Sequence, residues 1–223
     1  MPALAPTLRS MLEKTVIAAR DVAEDAALIA LQRLAVDAAN VFPSMSPEQC
    51  DLRTTLRARG KQLGDGLERA RPDAAGRLET MPGLVTECAY EHWHRLLFAR
   101  FLSENGLLMH PDGVAISLAE CEELAPEEGL PDGWAVATRY AARMLPQIFR
   151  PDDPLLRVTL APESRQALER RVGDLPAAVF LADDGLGWVY QFWQARRKKQ
   201  VNDSGEKIDG RTISAVTQLF TEH

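Results

Sequence analysis

The side chains best suited to chemistry in this sequence are His92 and His94, the thiols Cys50, Cys88 and Cys121, and a large set of carboxylates. Residues two positions apart on a helix point to different faces, so His92 and His94 cannot chelate one metal from a single face and read as packing or surface residues. The 3 cysteines stand far apart, without a CxxC pair or metal-ligand spacing, and read as reduced structural thiols. No pair of carboxylates falls in an apolar setting that would tune one of them as a general acid. A glycine-rich GxGxxG turn after a strand, a Walker loop, an HExxH pair and a nucleophile elbow are all missing from the sequence. So is the carboxylate-and-lysine grouping of a PD-(D/E)xK nuclease. The expectation is a chain with no complete active site of its own.

Three charge runs remain. Residues 52–78 are polar and rich in arginine (Arg53, Arg57, Arg59, Arg69, Arg71, Arg77, with Lys61) and are interrupted by Gly60, Gly64, Gly66 and Pro72. They read as a solvated helical hairpin, with a nucleic-acid-facing patch as the alternative. Residues 101–138 hold no Lys or Arg and carry Glu104, Asp112, Glu120, Glu122, Glu123, Glu127, Glu128 and Asp132. This stretch reads as a solvated acidic face, with a protein-docking surface over 104–132 as the alternative. Like charges repel, so direct contact with phosphate is not expected there. The third run, Arg196, Arg197, Lys198 and Lys199, is followed by Lys207 and Arg211 in a polar, glycine-punctuated stretch that reads as an exposed loop.

The elements that must position these groups read as helices. Of the 223 residues, 46% are hydrophobic but only 6% aromatic, with Ala and Leu, both strong helix formers, dominating. The predicted fold class is mainly α, an irregular multi-helix domain with at most minor β content. Helical spacing runs over 7–36, with a break expected near 21–25. Pro47 after Ser46 marks a second start. Leu84, Cys88, Ala89, Trp93, Leu96, Leu97 and Phe101 form one stripe of a helix closed by Asn105 and Gly106. Ser117 and Glu120 read as a capping box, and further helices are expected over 134–148, 164–172 and 186–201. The last carries Leu186, Val189, Tyr190 and Trp193 on its apolar side. The run 177–181 could be an isolated strand, and one more helix could begin at 213. The divisions read from sequence are an N-terminal helical segment over 1–82, a helical core region over 83–211 and the start of another domain over 212–223. No stretch reaches the ~20 apolar residues of a membrane span and the N-terminus lacks a secretory signal, so a cytoplasmic location is expected. The net charge of −6 leaves room only for a local basic face.

Two separated segments carry a family resemblance. Residues 186–193 (LGWVYQFW), then the basic run, then 213–221 (ISAVTQLFT) resemble the stretch leading into the catalytic domain of large adenine-specific DNA methyltransferases. Residues 89–106 (AYEHWHRLLFARFLSENG) are similar to the N-terminal core helix of the same enzymes. The PglX-like enzymes of BREX phage-defence systems and the DISARM methyltransferase are nearest, with type IIG restriction-modification enzymes further off; membership among the three stays open. The resemblance covers 84 to the end and leaves 1–82 without a recognised motif. Where the family often has Pro after Phe-Thr, this chain has Glu222. The family's cofactor glycine motif and its catalytic Asn/Asp-Pro-Pro-Tyr/Phe motif are both absent from the sequence.

The resemblance implies the helical, non-catalytic N-terminal region of such an enzyme, itself inactive. Phe220 and Thr221 would touch one edge of the S-adenosyl-L-methionine site. Arg196, Arg197, Lys198, Lys199, Lys207 and Arg211 would lie near double-stranded DNA; the alternative for 196–199 is a solvated helix end whose cations complement the helix dipole. The parent enzyme flips an adenine out of the duplex and methylates its amino group. The alternative is a stand-alone helical adaptor that binds proteins through its acidic 104–132 surface.

Overall fold

The computed structural model describes residues 3–66, 71–72 and 78–204, with side chains described over 3–66 and 80–195. The chain is mainly α, as expected. In order it forms α1 (Pro6–Arg33), α2 (Pro47–Gln62), a pair of two-residue strands β1 (Arg71–Pro72) and β2 (Leu78–Glu79), and α3 (Pro82–Glu104). There follow α4 (Leu118–Leu124), α5 (Gly133–Met144), α6 (Pro146–Phe149), a 3-10 turn (Pro154–Arg157), α7 (Pro162–Gly173), α8 (Ala177–Leu181) and α9 (Gly185–Ser204). The strands pair antiparallel, Arg71 opposite Glu79 and Pro72 opposite Leu78.

Helix α1 runs unbroken for 28 residues, about 42 Å at 1.5 Å per residue. The break expected near 21–25 does not occur. Leu12, Val16, Ala19, Ala23, Ala26 and Ala30 bury one continuous stripe through that region, and Arg20 and Glu24 pair one turn apart at 2.8 Å. The alanines let neighbouring helices approach closely, and α1 packs along α3, α7 and α9. Its end is a Schellman turn made without glycine. The amide of Val36 donates to Leu31 O at 3.1 Å and that of Ala35 to Gln32 O at 2.8 Å. Ala35 takes the left-handed conformation, φ 53°, and is fully buried.

Helix α2 opens on a capping box in which Ser46 and Gln49 cap each other's backbone. Helix α3 is held at its start by Asp65, whose two carboxylate oxygens each accept an amide, from Gly83 and Leu84, at 2.8 Å. Within α3 the expected stripe is buried except for Phe101, which is partly buried, and Val85, Glu91, Ala99 and Leu102 are buried as well. A helix apolar on more than one face lies inside a fold. Its first half joins the main core with α1, α2, α7, α8 and α9. Its second half, through Ala99 and Leu102, joins a smaller cluster with Cys121, Val136, Tyr140 and Phe149. The main core runs from Leu4 to Trp193 and so crosses residue 82.

Three further expectations are corrected. The helix read over 134–148 ends at Met144, because Pro146 cannot continue the hydrogen-bond ladder and starts α6 instead. The run 177–181 is a single helical turn, α8, with Val179 and Phe180 against the main core. Tyr190 does not share the apolar side of α9: it is 38% exposed, whereas Trp188, Val189 and Trp193 are buried. At 100° per residue the inward stripe is 188–189–192–193, with Phe192 partly buried, which turns 190 away.

Candidate functional site

Four of the residues singled out for DNA contact, Arg196, Arg197, Lys198 and Lys199, belong to α9, and the described part of that helix is anchored by several contacts. Asp184 stands just before the helix. Its carboxylate accepts the Leu4 amide at 2.7 Å and the Trp188 indole N–H at 2.8 Å, tying the N-terminus of the chain to α9. Burial alone would raise the Asp184 carboxyl, but these hydrogen bonds outweigh it and hold the group below its ordinary value. The Arg9 guanidinium sits 4.6 Å from the Trp188 ring centre, within cation–π range. Gly185 is required by space: a Cβ there would stand 2.0 Å from Val179 O. Further along, Trp193 stacks on Trp93 with ring centres 4.3 Å apart, and Tyr90 meets the same indole edge-on at 5.7 Å. Arg20 closes this end by donating from Nη1 to Trp193 O at 2.5 Å.

The basic run begins three residues after that anchor. Arg196, Arg197, Lys198 and Lys199 all lie within α9, and their side chains fall outside those described. Lys207, Arg211, Phe220 and Thr221 lie outside the described residues.

Of the arginine-rich stretch over 52–78, the described arginines are those of α2, and the side chains of Arg69, Arg71 and Arg77 lie outside those described. Arg53, 8% exposed, donates from Nε to Ala35 O at 2.7 Å and from Nη2 to Ala38 O at 2.6 Å. Arg57 donates from Nη1 to Val36 O at 2.6 Å and to Ala38 O at 2.8 Å. Together they satisfy the carbonyls of the loop that leaves α1. Arg59 reaches α3, with Nε 2.9 Å from Glu87 Oε2, which raises the guanidinium pKa above its ordinary value.

The acidic stretch is also largely engaged within the fold. Glu104 pairs with Arg100 at 2.6 Å. Glu120 accepts the Ser117 amide at 2.6 Å, completing the expected capping box, and those hydrogen bonds lower its pKa. Glu122 accepts the Gly133 amide at 2.6 Å. Glu128 meets Arg139 and the Tyr140 hydroxyl. Asp132 caps α5 through the Ala135 amide at 2.8 Å and pairs with Arg165 at 2.5 Å. Asp112, Glu123 and Glu127 are exposed.

Sequence reasoning did not foresee a cleft between α3, α5 and α7. It is a cavity of about 170 Å³ lined by His92 and Arg95 of α3, Trp134 and Thr138 of α5, and Arg165 and Glu169 of α7, among others. Burial, before the opposing pull of Arg165, pushes the Glu169 carboxyl up to about 7. Burial holds His92 down to about 4, although its Nε2 lies 3.2 Å from Leu155 O. His94, sandwiched between Tyr90 and Phe98, is also held to about 4 by burial and by Arg150 and Arg95. Both histidines are packing residues. Burial pushes Cys88 up to about 12 and Cys121 to about 11, leaving both as thiols. The signal for the cleft was three dispersed charges, Arg95, Arg165 and Glu169, that only the tertiary fold brings together.

Among the described residues no group of three metal-ligating side chains occurs, and no helix is long and apolar enough to cross a membrane. The strands are two residues long and no glycine loop joins one to a helix, so the described residues do not fit an S-adenosyl-L-methionine pocket of the Rossmann type. Comparison of the chain with protein-family models, curated proteins and solved structures finds no match.

Proposed function

We propose that this chain is the helical, non-catalytic part of an adenine-specific DNA methyltransferase of a phage-defence or restriction-modification system, and that it holds α9 and the basic run of that helix against duplex DNA. The observation that carries the reading is the meeting of the two segments that resemble that family. Residues 89–106 and 186–193 are distant in the chain, yet Trp93 of one stacks on Trp193 of the other at 4.3 Å. Segments recognised independently thus form one packed unit, as parts of a single ancestral domain would. Arg53 and Arg57 of α2 and most of the described acidic side chains are engaged within the fold, and the reading rests DNA contact on the run 196–199.

In this reading the chemistry belongs to a catalytic part that supplies the glycine motif and the Asn/Asp-Pro-Pro-Tyr/Phe motif, and S-adenosyl-L-methionine is bound there. Residues 1–223 supply position: phosphate contacts set the register and orientation of a protein on duplex DNA without reading sequence. Purified chain incubated with labelled S-adenosyl-L-methionine and duplex DNA should transfer no methyl group, yet should retard duplexes of unrelated sequence at low salt. Methyl incorporation would show that the chain carries its own active site. Failure to retard any duplex would overturn the DNA-facing role.

A further inference from the structure

We propose that the cleft between α3, α5 and α7 is a binding site for a small organic monocarboxylate, held by the guanidinium of Arg95 with its apolar flank against Trp134, Leu96 and Leu160. The argument begins with charge pairing. The carboxylates around the cleft already have cations. Glu91, nearly buried, pairs with Arg150, and Asp132 and Glu169 share Arg165 at 2.5 and 2.9 Å. Among the described residues Arg95 has no such paired carboxylate. Its Nε is buried and makes no hydrogen bond, and its nearest aromatic support, the Phe149 ring, is 6.0 Å away, at the outer limit of a cation–π contact. Burial lowers its pKa, against the opposing pull of Glu91. A half-buried cation without a paired carboxylate favours an anion that enters the cavity beside it.

Shape narrows the class. A guanidinium can offer its two terminal Nη groups as a planar fork that matches a carboxylate. The cavity is about 170 Å³, and an apolar cavity of about 150 Å³ accommodates benzene, so benzoate is near the upper limit of size. The walls Leu96, Leu160, Leu168 and Trp134 suit an apolar flank, which an inorganic anion lacks.

The groups facing a ligand are Arg95 and His92 from α3, Asp132 and Thr138 from the α5 side, and Arg165 and Glu169 from α7, with Glu122 of α4 acting on Glu169 at longer range. His92 is neutral above about 4. Glu169 loses its proton near 7 and then repels a second carboxylate, so binding should weaken as pH rises through that value.

The test is calorimetric titration of residues 1–223 with benzoate and with benzamide, its uncharged planar counterpart, at pH 6 and pH 8. Expected are saturable benzoate binding, weaker at the higher pH, and benzamide binding weaker by roughly tenfold or more, the usual worth of a charged hydrogen bond. Arg95→Met should lose benzoate by a similar factor, and Ala135→Leu, which fills the cavity without altering charge, should lose it too. Absence of saturable benzoate binding by the parent overturns the proposal. So does benzamide binding as tightly as benzoate, a result read on the parent alone and therefore decisive even if a variant fails to fold. Equal benzoate affinity in folded Arg95→Met would reduce the site to an apolar hole.

Discussion

The arginines of α2 and the carboxylates between α3 and α5 carry opposite charge and do similar work at different range. Each set satisfies backbone groups left over where helices end. Arg53 and Arg57 reach from α2 to carbonyls of residues 35–39, closing a turn built on a left-handed alanine. Glu120, Glu122 and Asp132 accept amides 3 to 11 positions away, at the starts of α4 and α5. Unpaired backbone groups in a fold are costly, so a dense charge run can be an internal device rather than a docking face. The difference in range has a consequence. The basic set fastens α2 to the loop that leaves α1, whereas the acidic set caps helix starts locally, apart from the Asp132–Arg165 pair that reaches α7, so losing the first should loosen the main core and losing the second should act mainly on the start of α5.

The largest effect sets the ceiling against which both sets are judged. Trp93→Ala, or Trp193→Ala, removes half of the stack on which α3 and α9 meet. Truncation of a buried Trp costs about 3–5 kcal/mol, which urea denaturation would register as a large fall in midpoint. A midpoint near that of the parent would show that the stack is not part of the core. Next comes Arg53→Met, which keeps the aliphatic stem and removes the guanidinium donors to Ala35 O, Ala38 O and Ala39 O, while Arg57 still donates to Ala38 O and the Ala38 amide to Ala35 O; about 1–3 kcal/mol in all is expected for the lost charged hydrogen bonds. Asp132→Ala, losing the α5 cap and the Arg165 pair, should cost about 1 kcal/mol. Hydrogen exchange would separate the two: faster exchange at the end of α1 in the first variant, and only in the first turn of α5 in the second. Equal, global acceleration in both would break the contrast between long-range and local roles.

The pH effects take the form of a change in stability across a titration, and they oppose one another. His92 and His94 are held at about 4 in the fold against an ordinary 6.5. The unfolded chain therefore takes up protons first, and stability falls as pH drops from 6.5 towards 4. Glu169 is held at about 7 against an ordinary 4.5. The folded state keeps a proton that the unfolded state releases, so stability falls as pH rises from 4.5 to 7. Replacing both histidines with Gln should flatten the acid limb, and Glu169→Gln should remove the loss towards neutrality. Denaturation series from pH 4 to 8 that show no change in either variant would count against the burial of these groups.

Helices were legible where periodicity and local caps agree. The α3 stripe, the Ser46 and Ser117 starts and the Asn105–Gly106 stop are written in neighbouring residues. What was not legible depends on distance in the chain. Asp65 caps α3 from outside it, Ala35 ends α1 where a glycine would have announced the turn, and the ring that Trp193 stacks on, Trp93, lies on another helix. Tyr190 was misassigned because an aromatic near a stripe resembles a member of it. The cleft around Arg95 was invisible because its walls come from three helices.

The claim that most needs measurement is that the run Arg196, Arg197, Lys198 and Lys199 meets DNA phosphate. Duplex affinity should be followed across a salt titration for the parent chain and for a variant with all four changed to Gln. Each phosphate contact adds about 0.9 to the slope of log affinity against log salt. The account predicts weaker binding and a flatter slope in the variant, equally for duplexes of different sequence. Affinity and slope identical to those of the parent would contradict it and leave the four cations as the charged end of a helix.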